Sequence, residues 1–313
     1  MTPPTIAPAV PPDWLWIPVT LWAAFAQTLR NAAQRGLTAS LGTLGATLVR
    51  FLYGLPFAIA WLWIVSAWTG AALPAPGAAF LAWTALGALS QIAATALLLA
   101  AMQERNFALG VAYSKTEVIQ VALFGFVALG DRLGLPALAA IGCASAGVLL
   151  LSPVDRKRPL RALLAGWTGR PALLGLASGA GFALAAIGFR GAALSLGEAP
   201  YLVAAALTLA AGLALQTATL GGWLAARQPK VVLGALREWR PSLFAGFMGA
   251  AASAGWFTAF AIQTAASVRT LGLVELFFAS IISLKLFRER LTPMELAGMA
   301  LIALGIAGIT FAR

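Results

Sequence analysis

The chain has 313 residues, of which 61% are hydrophobic and only 10% are charged. Because a soluble domain usually carries about a quarter charged residues, this composition excludes a water-soluble protein and predicts an integral membrane protein. The formal net charge of +11 would suit a nucleic-acid-binding protein, but the sequence offers no soluble basic domain for that role.

The N-terminal residues 1–12 are rich in proline and contain neither Lys nor Arg. They therefore lack the positive start of a cleaved signal peptide, and we expect the apolar run that follows to remain as the first membrane span. The single cysteine, Cys143, lies in an apolar run and cannot form an internal disulfide.

Ten apolar runs follow one another along the chain. A bilayer core about 30 Å thick requires about 20 residues of apolar helix, and Gly, Pro and charged residues mark the turns between such helices. The predicted spans are 14–34, 43–68, 78–102, 107–129, 135–152, 172–194, 200–225, 241–263, 268–287 and 294–312. The predicted fold class is therefore an all-α membrane protein with ten transmembrane helices.

A step of 158 residues relates the two halves of the chain. It carries Glu117 onto Glu275, Asp131 onto Glu289, Arg132 onto Arg290 and Gly147 onto Gly305, and a two-residue insertion aligns Trp22 and Arg30 with Phe182 and Arg190. We predict a first five-helix repeat over 1–152, a basic linker over 153–170 and a second repeat over 171–313. Because five is an odd number, the second repeat should enter the membrane inverted.

Basic residues predict the orientation of the spans, since Lys and Arg near span ends favour the cytoplasm. Fifteen of them lie on the face shared by the odd-numbered loops and four lie on the opposite face. We therefore expect cytoplasmic odd-numbered loops and periplasmic termini for a multi-pass protein of the bacterial inner membrane.

Polar residues inside spans indicate a functional interior, because each must find a partner, water or a ligand in the hydrocarbon. In span one, Gln27, Arg30, Asn31 and Gln34 form one stripe that should face water or protein. Span four combines a phenol, a carboxylate, an amide and an aromatic ring on one face, at Tyr113, Glu117, Gln120 and Phe124. The predicted substrate-binding set is Trp22, Arg50, Gln91, Tyr113, Glu117, Trp256 and Glu275.

The charged members of this set leave two interpretations open. Arg50 is the natural countercharge for the glutamates, but a fixed structural ion pair competes with a binding or gating role. Lys115 is only two residues from Glu117 and should point elsewhere on a helix, toward another span or an interface. Asp131 and Arg132 lie at a span end, where interfacial anchoring is the expected role.

The runs Ala112-Tyr113-Ser114-Lys115-Thr116-Glu117 and Leu129-Gly130-Asp131-Arg132-Leu133 are repeated as Leu273-Val274-Glu275 and Phe287-Arg288-Glu289-Arg290-Leu291-Thr292. With Val49-Arg50-Phe51, they resemble the duplicated signature of EamA-type members of the drug/metabolite transporter superfamily, over about 290 residues. The resemblance implies inverted five-helix repeats around a central cavity walled by spans one to four and six to nine. Leu276 replaces the proline that often follows the second glutamate, and relatives are often drawn with cytoplasmic termini.

The main hypothesis is therefore a secondary transporter that exports a small amphiphilic metabolite, amino acid or drug by alternating access. Uncoupled facilitated diffusion and lipid translocation are the alternatives. Proton coupling through the glutamates is a separate hypothesis, because burial disfavours the charged form of a carboxyl group.

An enzyme is not predicted. The chain has no histidine, and Asp13, Asp131 and Asp155 all fall outside the spans. Paired intramembrane aspartates and His-based triads or metal sites are thereby excluded. The expected partners are a small-molecule substrate and membrane lipids, with no cofactor, metal or nucleic acid.

Overall fold

The computed structural model describes residues 11–104, 113–150, 169–287 and 293–311, and all regular secondary structure in these ranges is helical. Five helical segments are long and apolar enough to cross a membrane: Trp16–Thr69, Ala78–Gln103, Ala172–Leu194, Tyr201–Arg227 and Trp239–Ile262. Shorter apolar helices are Glu117–Leu129, Leu135–Leu150 and Leu296–Phe311. The all-α prediction is confirmed, and the apolar helices are typical of a membrane protein. Ten crossings remain a prediction.

The helices in chain order are α1 (Trp16–Leu52), α2 (Leu55–Thr69), α3 (Ala78–Glu104), α4 (Glu117–Leu129), α5 (Leu135–Leu150), α6 (Arg170–Leu194), α7 (Tyr201–Gln216), α8 (Gly222–Arg227), α9 (Pro229–Arg237), α10 (Trp239–Ile262), α11 (Ala265–Leu271), α12 (Val274–Phe287) and α13 (Pro293–Phe311). A π-helical turn, Thr217–Gly221, joins α7 to α8. Most of the predicted inter-repeat linker and both predicted periplasmic ends lie outside the described residues.

Helix α1 is folded back on itself at Gly42. This glycine has a φ of +67°, which residues with a Cβ rarely adopt. Gln34 Nε2 donates to the carbonyl oxygen of Ala46 at 2.7 Å, whereas twelve residues of straight helix would separate these groups by about 18 Å. The chain therefore reverses direction between the predicted first and second spans, where the sequence predicted a turn.

Helix α9 is an element that the sequence did not predict, since the predicted spans leave 226–240 as a loop. Pro229 begins it, a position where the missing N–H of proline does no harm. Its Ala235 is buried and its carbonyl accepts a hydrogen bond from Tyr53 Oη at 3.1 Å, while Lys230 and Arg237 are exposed. The helix therefore packs one face against the bundle and presents a basic face outward.

The helices that pack most extensively correspond between the two halves. These pairs are α3 with α6 and α1 with α10. The 158-residue step carries α3 onto α10. The 160-residue step that aligns Arg30 with Arg190 carries residues 16–34 of α1 onto α6. The two large interfaces are thus counterparts of each other.

The contact between α5 and α13 is reciprocal. A Cβ added to Gly147 would lie 2.5 Å from the carbonyl oxygen of Gly298 and 2.7 Å from Ile302 Cγ1. A Cβ added to Gly305 would lie 2.7 Å from the carbonyl oxygen of Ala140 and 2.5 Å from Ala144 Cβ. The 158-residue step converts the first set of residues into the second. The small residues let the two backbones touch, a kind of contact that is common between membrane helices.

Candidate functional site

A tightened turn precedes each of the two equivalent glutamates. The amide of Val118 donates to the carbonyl of Lys115 at 3.3 Å, and the amide of Leu276 donates to that of Leu273 at 2.9 Å. Both bonds span three residues, the spacing of a 3₁₀ turn, and the 158-residue step relates them. Helix α4 therefore begins at Glu117, and Glu275 lies in the first turn of α12.

These turns correct the prediction of uninterrupted helices in spans four and nine. Tyr113 precedes the break, so it does not share a continuous helical face with Glu117, Gln120 and Phe124. Instead, Tyr113 is buried against Gly175 of α6, where the absence of a side chain lets the two segments approach. In the sequence, Gly272 lies at the break before Glu275. No glycine or proline lies at the break before Glu117.

Glu275, in the second half, is the acceptor on which three donors of the first half converge. Its Oε1 accepts from Asn31 Nδ2 at 2.8 Å, and its Oε2 accepts from Gln27 Nε2 at 2.7 Å and from Lys115 Nζ. The side chain is 1% exposed. Charge-assisted hydrogen bonds of this kind compensate for removing the carboxylate from water. The polar stripe of span one therefore faces protein, and two of its four members, Gln27 and Asn31, bind a glutamate of the second half.

Glu117 has a looser environment than its counterpart. Its Oε1 lies 3.5 Å from Arg269 Nη1 and 3.8 Å from Lys115 Nζ. Its Oε2 is buried and has no hydrogen-bond partner in the part of the chain that the structure describes. Lys115 thus stands between the two glutamates. The expectation that it points away from Glu117 is wrong, because the break in the helix turns its side chain inward.

Arg269 is a site residue that the sequence did not single out. Its guanidinium carbon lies 4.6 Å above the ring of Trp256 and 5.2 Å from that of Phe260, and its side chain is 5% exposed. Such cation–π contacts stabilise a desolvated guanidinium. The indole Nε1 of Trp256 donates to Gln27 Oε1 at 2.9 Å, which joins it to the Glu275 cluster. In the sequence, Arg269 lies at the very start of the predicted span 268–287, where a basic residue is expected near the membrane surface.

Arg30 and Arg50 lie next to each other on the two arms of α1. A Cβ added to Gly249 of α10 would meet Arg50 Cγ at 3.1 Å and Arg30 Cδ at 3.3 Å. Arg30 donates through Nε and Nη2 to Asn31 Oδ1, at 3.2 and 2.6 Å. Arg50 donates through Nη1 to Thr95 Oγ1 at 3.1 Å and through Nη2 to Ser253 Oγ at 3.4 Å.

The predicted pairing of Arg50 with the glutamates is therefore not observed. Among the ion pairs of the described residues, those of Glu117 and Glu275 are with Lys115 and Arg269. Arg50 instead faces two neutral hydroxyl groups. The sequence pointed to Arg50 as countercharge because of its depth in span two, but depth alone cannot identify which cation a carboxylate meets.

We call this cluster the central polar network, and it consists of Gln27, Arg30, Asn31, Arg50, Lys115, Glu117, Trp256, Arg269 and Glu275. Each of these side chains is at most 8% exposed. In this conformation the glutamates face cations and amides inside a closed network rather than the wall of an open cavity. No group of three potential metal ligands occurs among the described His, Cys, Asp and Glu residues.

Three predicted site residues lie outside the central polar network: Tyr113, which packs against Gly175, and Gln91 and Trp22. Gln91 Oε1 accepts from Gln216 Nε2 at 2.9 Å, a contact that ties α3 to α7. Trp22 is 49% exposed and lines an apolar pocket of about 680 Å³ together with Phe57, Trp61 and Phe247. The structure thus brings Arg50, Glu117, Trp256 and Glu275 into one network, and it leaves Tyr113, Gln91 and Trp22 outside that network.

A second ion pair joins the ends of three helices. Arg190 Nη2 lies 3.2 Å from Asp131 Oδ1, and Arg190 Nη1 donates to the carbonyl oxygens of Phe260 and Gln263, both at 2.6 Å. These carbonyls lie at the C-terminal end of α10, where a cation is favoured. Asp131, expected as an interfacial anchor, therefore binds α4 to α6 and, through Arg190, to α10.

Comparison with known proteins bears on the fold. No protein-family model and no curated protein match the chain. A crystal structure of another protein resembles it over 96% of this chain and 98% of that chain, with a TM-score of 0.65 and 16% sequence identity. At this identity the similarity shows the fold alone. The chain is thus an all-helical protein with several helices able to span a membrane, and its fold is shared with a known structure.

Proposed function

We propose that this protein is a secondary transporter that exports a small amphiphilic metabolite, amino acid or drug across the bacterial inner membrane by alternating access. One observation carries the proposal. Glu117 and Glu275, equivalent residues of two related halves, meet at Lys115 in the buried centre of the bundle. Transporters built from inverted repeats bind their substrates at such repeat interfaces, next to interrupted helices.

The internal symmetry supports the inverted five-helix repeats that this function requires. The α3–α6 and α1–α10 interfaces are counterparts, and the contact of Gly147 with α13 is repeated by that of Gly305 with α5. Ten crossings, five in each half, would place the second half upside down relative to the first. The resemblance of the Glu117 and Glu275 segments to EamA-type members of the drug/metabolite transporter superfamily favours the same arrangement.

The closed network would correspond to an occluded stage of the cycle. Charged side chains within membrane spans are costly and usually mark a transport path. Opening would require one half to move relative to the other, and the turns before Glu117 and Glu275 are natural hinges because short 3₁₀ segments interrupt regular helices there. A hydrated central cavity would then form in the open stages.

Lipid translocation is the second candidate, and the apolar pocket beside Trp22 favours it. The pocket of about 680 Å³ is lined by aliphatic and aromatic side chains and carries no charged residue. Such a surface suits an acyl chain. It lies apart from the charged network, however, so this candidate leaves the paired glutamates without a role.

Counterflow in proteoliposomes tests the main proposal. A thermal-shift screen of metabolites, amino acids and drugs selects solutes that stabilise the purified protein, because ligands that bind the folded state raise its unfolding temperature. We expect saturable counterflow of a selected solute by the native chain and by the control Arg237→Gln, whose side chain is exposed on α9. Glu275→Gln should abolish it. Undiminished counterflow in Glu275→Gln would refute the role of the network, and lipid scrambling without solute flux would favour the second candidate.

Two further measurements address coupling and orientation. If the glutamates couple transport to protons, uphill flux driven by a pH gradient should vanish in Glu117→Gln or Glu275→Gln, and unchanged flux in both variants removes them from coupling. A terminal reporter that fluoresces only in the cytoplasm should stay dark at both ends. Bright fusions would reverse the orientation predicted from the basic loops.

A further inference from the structure

The central polar network carries more positive than negative formal charge. Arg30, Arg50, Lys115 and Arg269 supply four positive charges, and Glu117 and Glu275 supply two negative charges. Among the described side chains, two positive charges are therefore in excess. Two unneutralised charges inside a membrane protein are unfavourable, because Coulomb repulsion is strong at low dielectric constant.

Arg30 and Arg50 are the cations of the network that form no ion pair within 4 Å among the described residues, although Glu275, which pairs with Lys115, also attracts Arg30. Lys115 and Arg269 each lie within 4 Å of a glutamate oxygen. Arg30 and Arg50 donate only to neutral oxygens in the part of the chain that the structure describes, namely those of Asn31, Thr95 and Ser253. The two like-charged side chains nevertheless lie against the same glycine, Gly249. Side chains that repel each other are packed together here without a carboxylate between them.

Three guanidinium N–H groups of the network lack an acceptor. They are Arg30 Nη1, Arg50 Nε and Arg269 Nε, which have no hydrogen-bond partner among the described residues. Arg30 and Arg50 are each 1% exposed and Arg269 is 5% exposed. A buried donor without an acceptor is unfavourable, and donors on charged groups most of all. Unsatisfied donors and excess charge therefore coincide at the same side chains.

We propose that Arg30 and Arg50 form the binding site for an oxyanion, so that the transported solute carries a carboxylate or a phosphate. This inference rests on the proposed function and names the substrate class of the same site. A guanidinium group presents a planar fork of donors that fits either oxyanion and forms short, charge-assisted hydrogen bonds with it. The bound anion would offset the excess charge and supply the missing acceptors. Trp256 and Phe260, close to Arg269, would contact the apolar part of the solute.

An internal carboxylate tests this assignment. Ser253 Oγ accepts from Arg50 Nη2, so Ser253→Asp would place a fixed negative charge at the proposed anion site. Ser253→Asn introduces a side chain of the same size without the charge and is the matched control. Because Asp would occupy the role of the ligand, we expect this variant to bind anions poorly and to unfold at a temperature no lower than that of the Asn variant.

Isothermal titration calorimetry on purified protein in detergent provides the measurement. The probes are benzoate, its neutral analogue benzamide, and inorganic phosphate. We expect benzoate or phosphate to bind the native chain at least about tenfold more tightly than benzamide. Ser253→Asn should keep this affinity within about threefold and Ser253→Asp should lose at least about tenfold. The tighter of the two anions identifies the site as one for carboxylate or for phosphate.

Three outcomes would overturn the inference: equal affinity for benzoate and benzamide, equal anion affinity in the two Ser253 variants, or no measurable binding of either anion. If Ser253→Asp does not fold, Arg30→Gln and Arg30→Lys replace the pair, and the Gln variant should lose more anion affinity than the Lys variant. Binding in detergent needs no transport. Anion binding without counterflow would therefore refute the proposed function alone, and counterflow without charge discrimination would refute this inference alone.

Discussion

Replacing Glu275 by glutamine should destabilise the protein far more than the same change at its counterpart Glu117. Three donors converge on the Glu275 carboxylate, and two of them, from Gln27 and Asn31, lie at 2.7 and 2.8 Å. A glutamine side chain has one acceptor oxygen, and its amide group would face donors. At least one buried donor would lose its partner, and Lys115 would lose its closest countercharge. Breaking a buried ion pair in this way costs about 3–5 kcal/mol.

Glu117→Gln should have a smaller effect because the native contacts are longer. The cations nearest to Glu117 Oε1 lie at 3.5 and 3.8 Å, and Oε2 has no hydrogen-bond partner among the described residues. We expect a loss of about 1–3 kcal/mol, the range for leaving a buried donor unsatisfied. Glu238→Gln, an exposed change at the end of α9, should stay within about 0.5 kcal/mol of the native chain.

Thermal unfolding of purified protein, followed by intrinsic tryptophan fluorescence, measures these differences. At about 2–4 °C per kcal/mol, Glu275→Gln should lower the unfolding temperature by on the order of 10 °C and Glu117→Gln by clearly less. Equal unfolding temperatures for the two variants, or a larger drop for Glu117→Gln, would refute the reasoning. Such a result would mean that the donors do not converge on Glu275 as the geometry indicates.

Three other predictions follow from the same structure. Gly147→Ala should destabilise the protein by about 1–3 kcal/mol through overpacking. Gly142→Ala should be neutral or slightly stabilising, because an added Cβ there would have no atom within 4 Å. Equal unfolding temperatures for the two variants would contradict the close contact between α5 and α13. Arg190→Gln should lower the unfolding temperature, because carbonyl groups at the end of α10 would lose their hydrogen-bond donor. The affinity for benzoate should not change. A changed affinity would mean that the Arg190–Asp131 ion pair contributes to anion binding. Trp256→Phe removes the indole N–H that donates to Gln27 and should weaken counterflow. Trp22→Ala should leave the half-saturation concentration of counterflow unchanged. The reverse pattern would place the solute in the apolar pocket.

Much of the helical architecture could be predicted from the sequence. Apolar runs separated by glycine, proline and charged residues mark the helices, and Gly42 lies where the first two predicted spans are divided. The breaks before Glu117 and Glu275 were harder to foresee, because a 3₁₀ turn within an apolar run needs no special residue. Helix α9 was missed because its nine residues are too few for a span and its basic residues resemble those of a loop.

The sequence predicted both carboxylates of the candidate site and Arg50 among its cations, but it did not predict that Lys115 and Arg269 pair with the glutamates. Two glutamates inside apolar runs, related by the 158-residue step, are conspicuous in the sequence. The spacing of Gln27 and Asn31 placed both on one helical face. Their contacts with Glu275 cross 248 and 244 residues of sequence, however, and no periodicity encodes such a pairing. Arg269 was not predicted as a site residue because it lies near the end of an apolar run. Hydropathy alone cannot tell whether an arginine at such a position lies at the membrane interface or is buried in the protein.

The 158-residue step relates the two glutamates but not the cations around them. The 158-residue step places Leu273 at the counterpart of Lys115 and Val111 at the counterpart of Arg269, and neither can carry charge. The two halves thus share an acidic framework but contribute different cations to it. If the halves exchange conformations as the proposed function requires, the exchanged state cannot reproduce the ion pairs of this one. The inward-open and outward-open states would then differ in free energy. An anion bound between Arg30 and Arg50 would change this difference if it bound one state more tightly than the other.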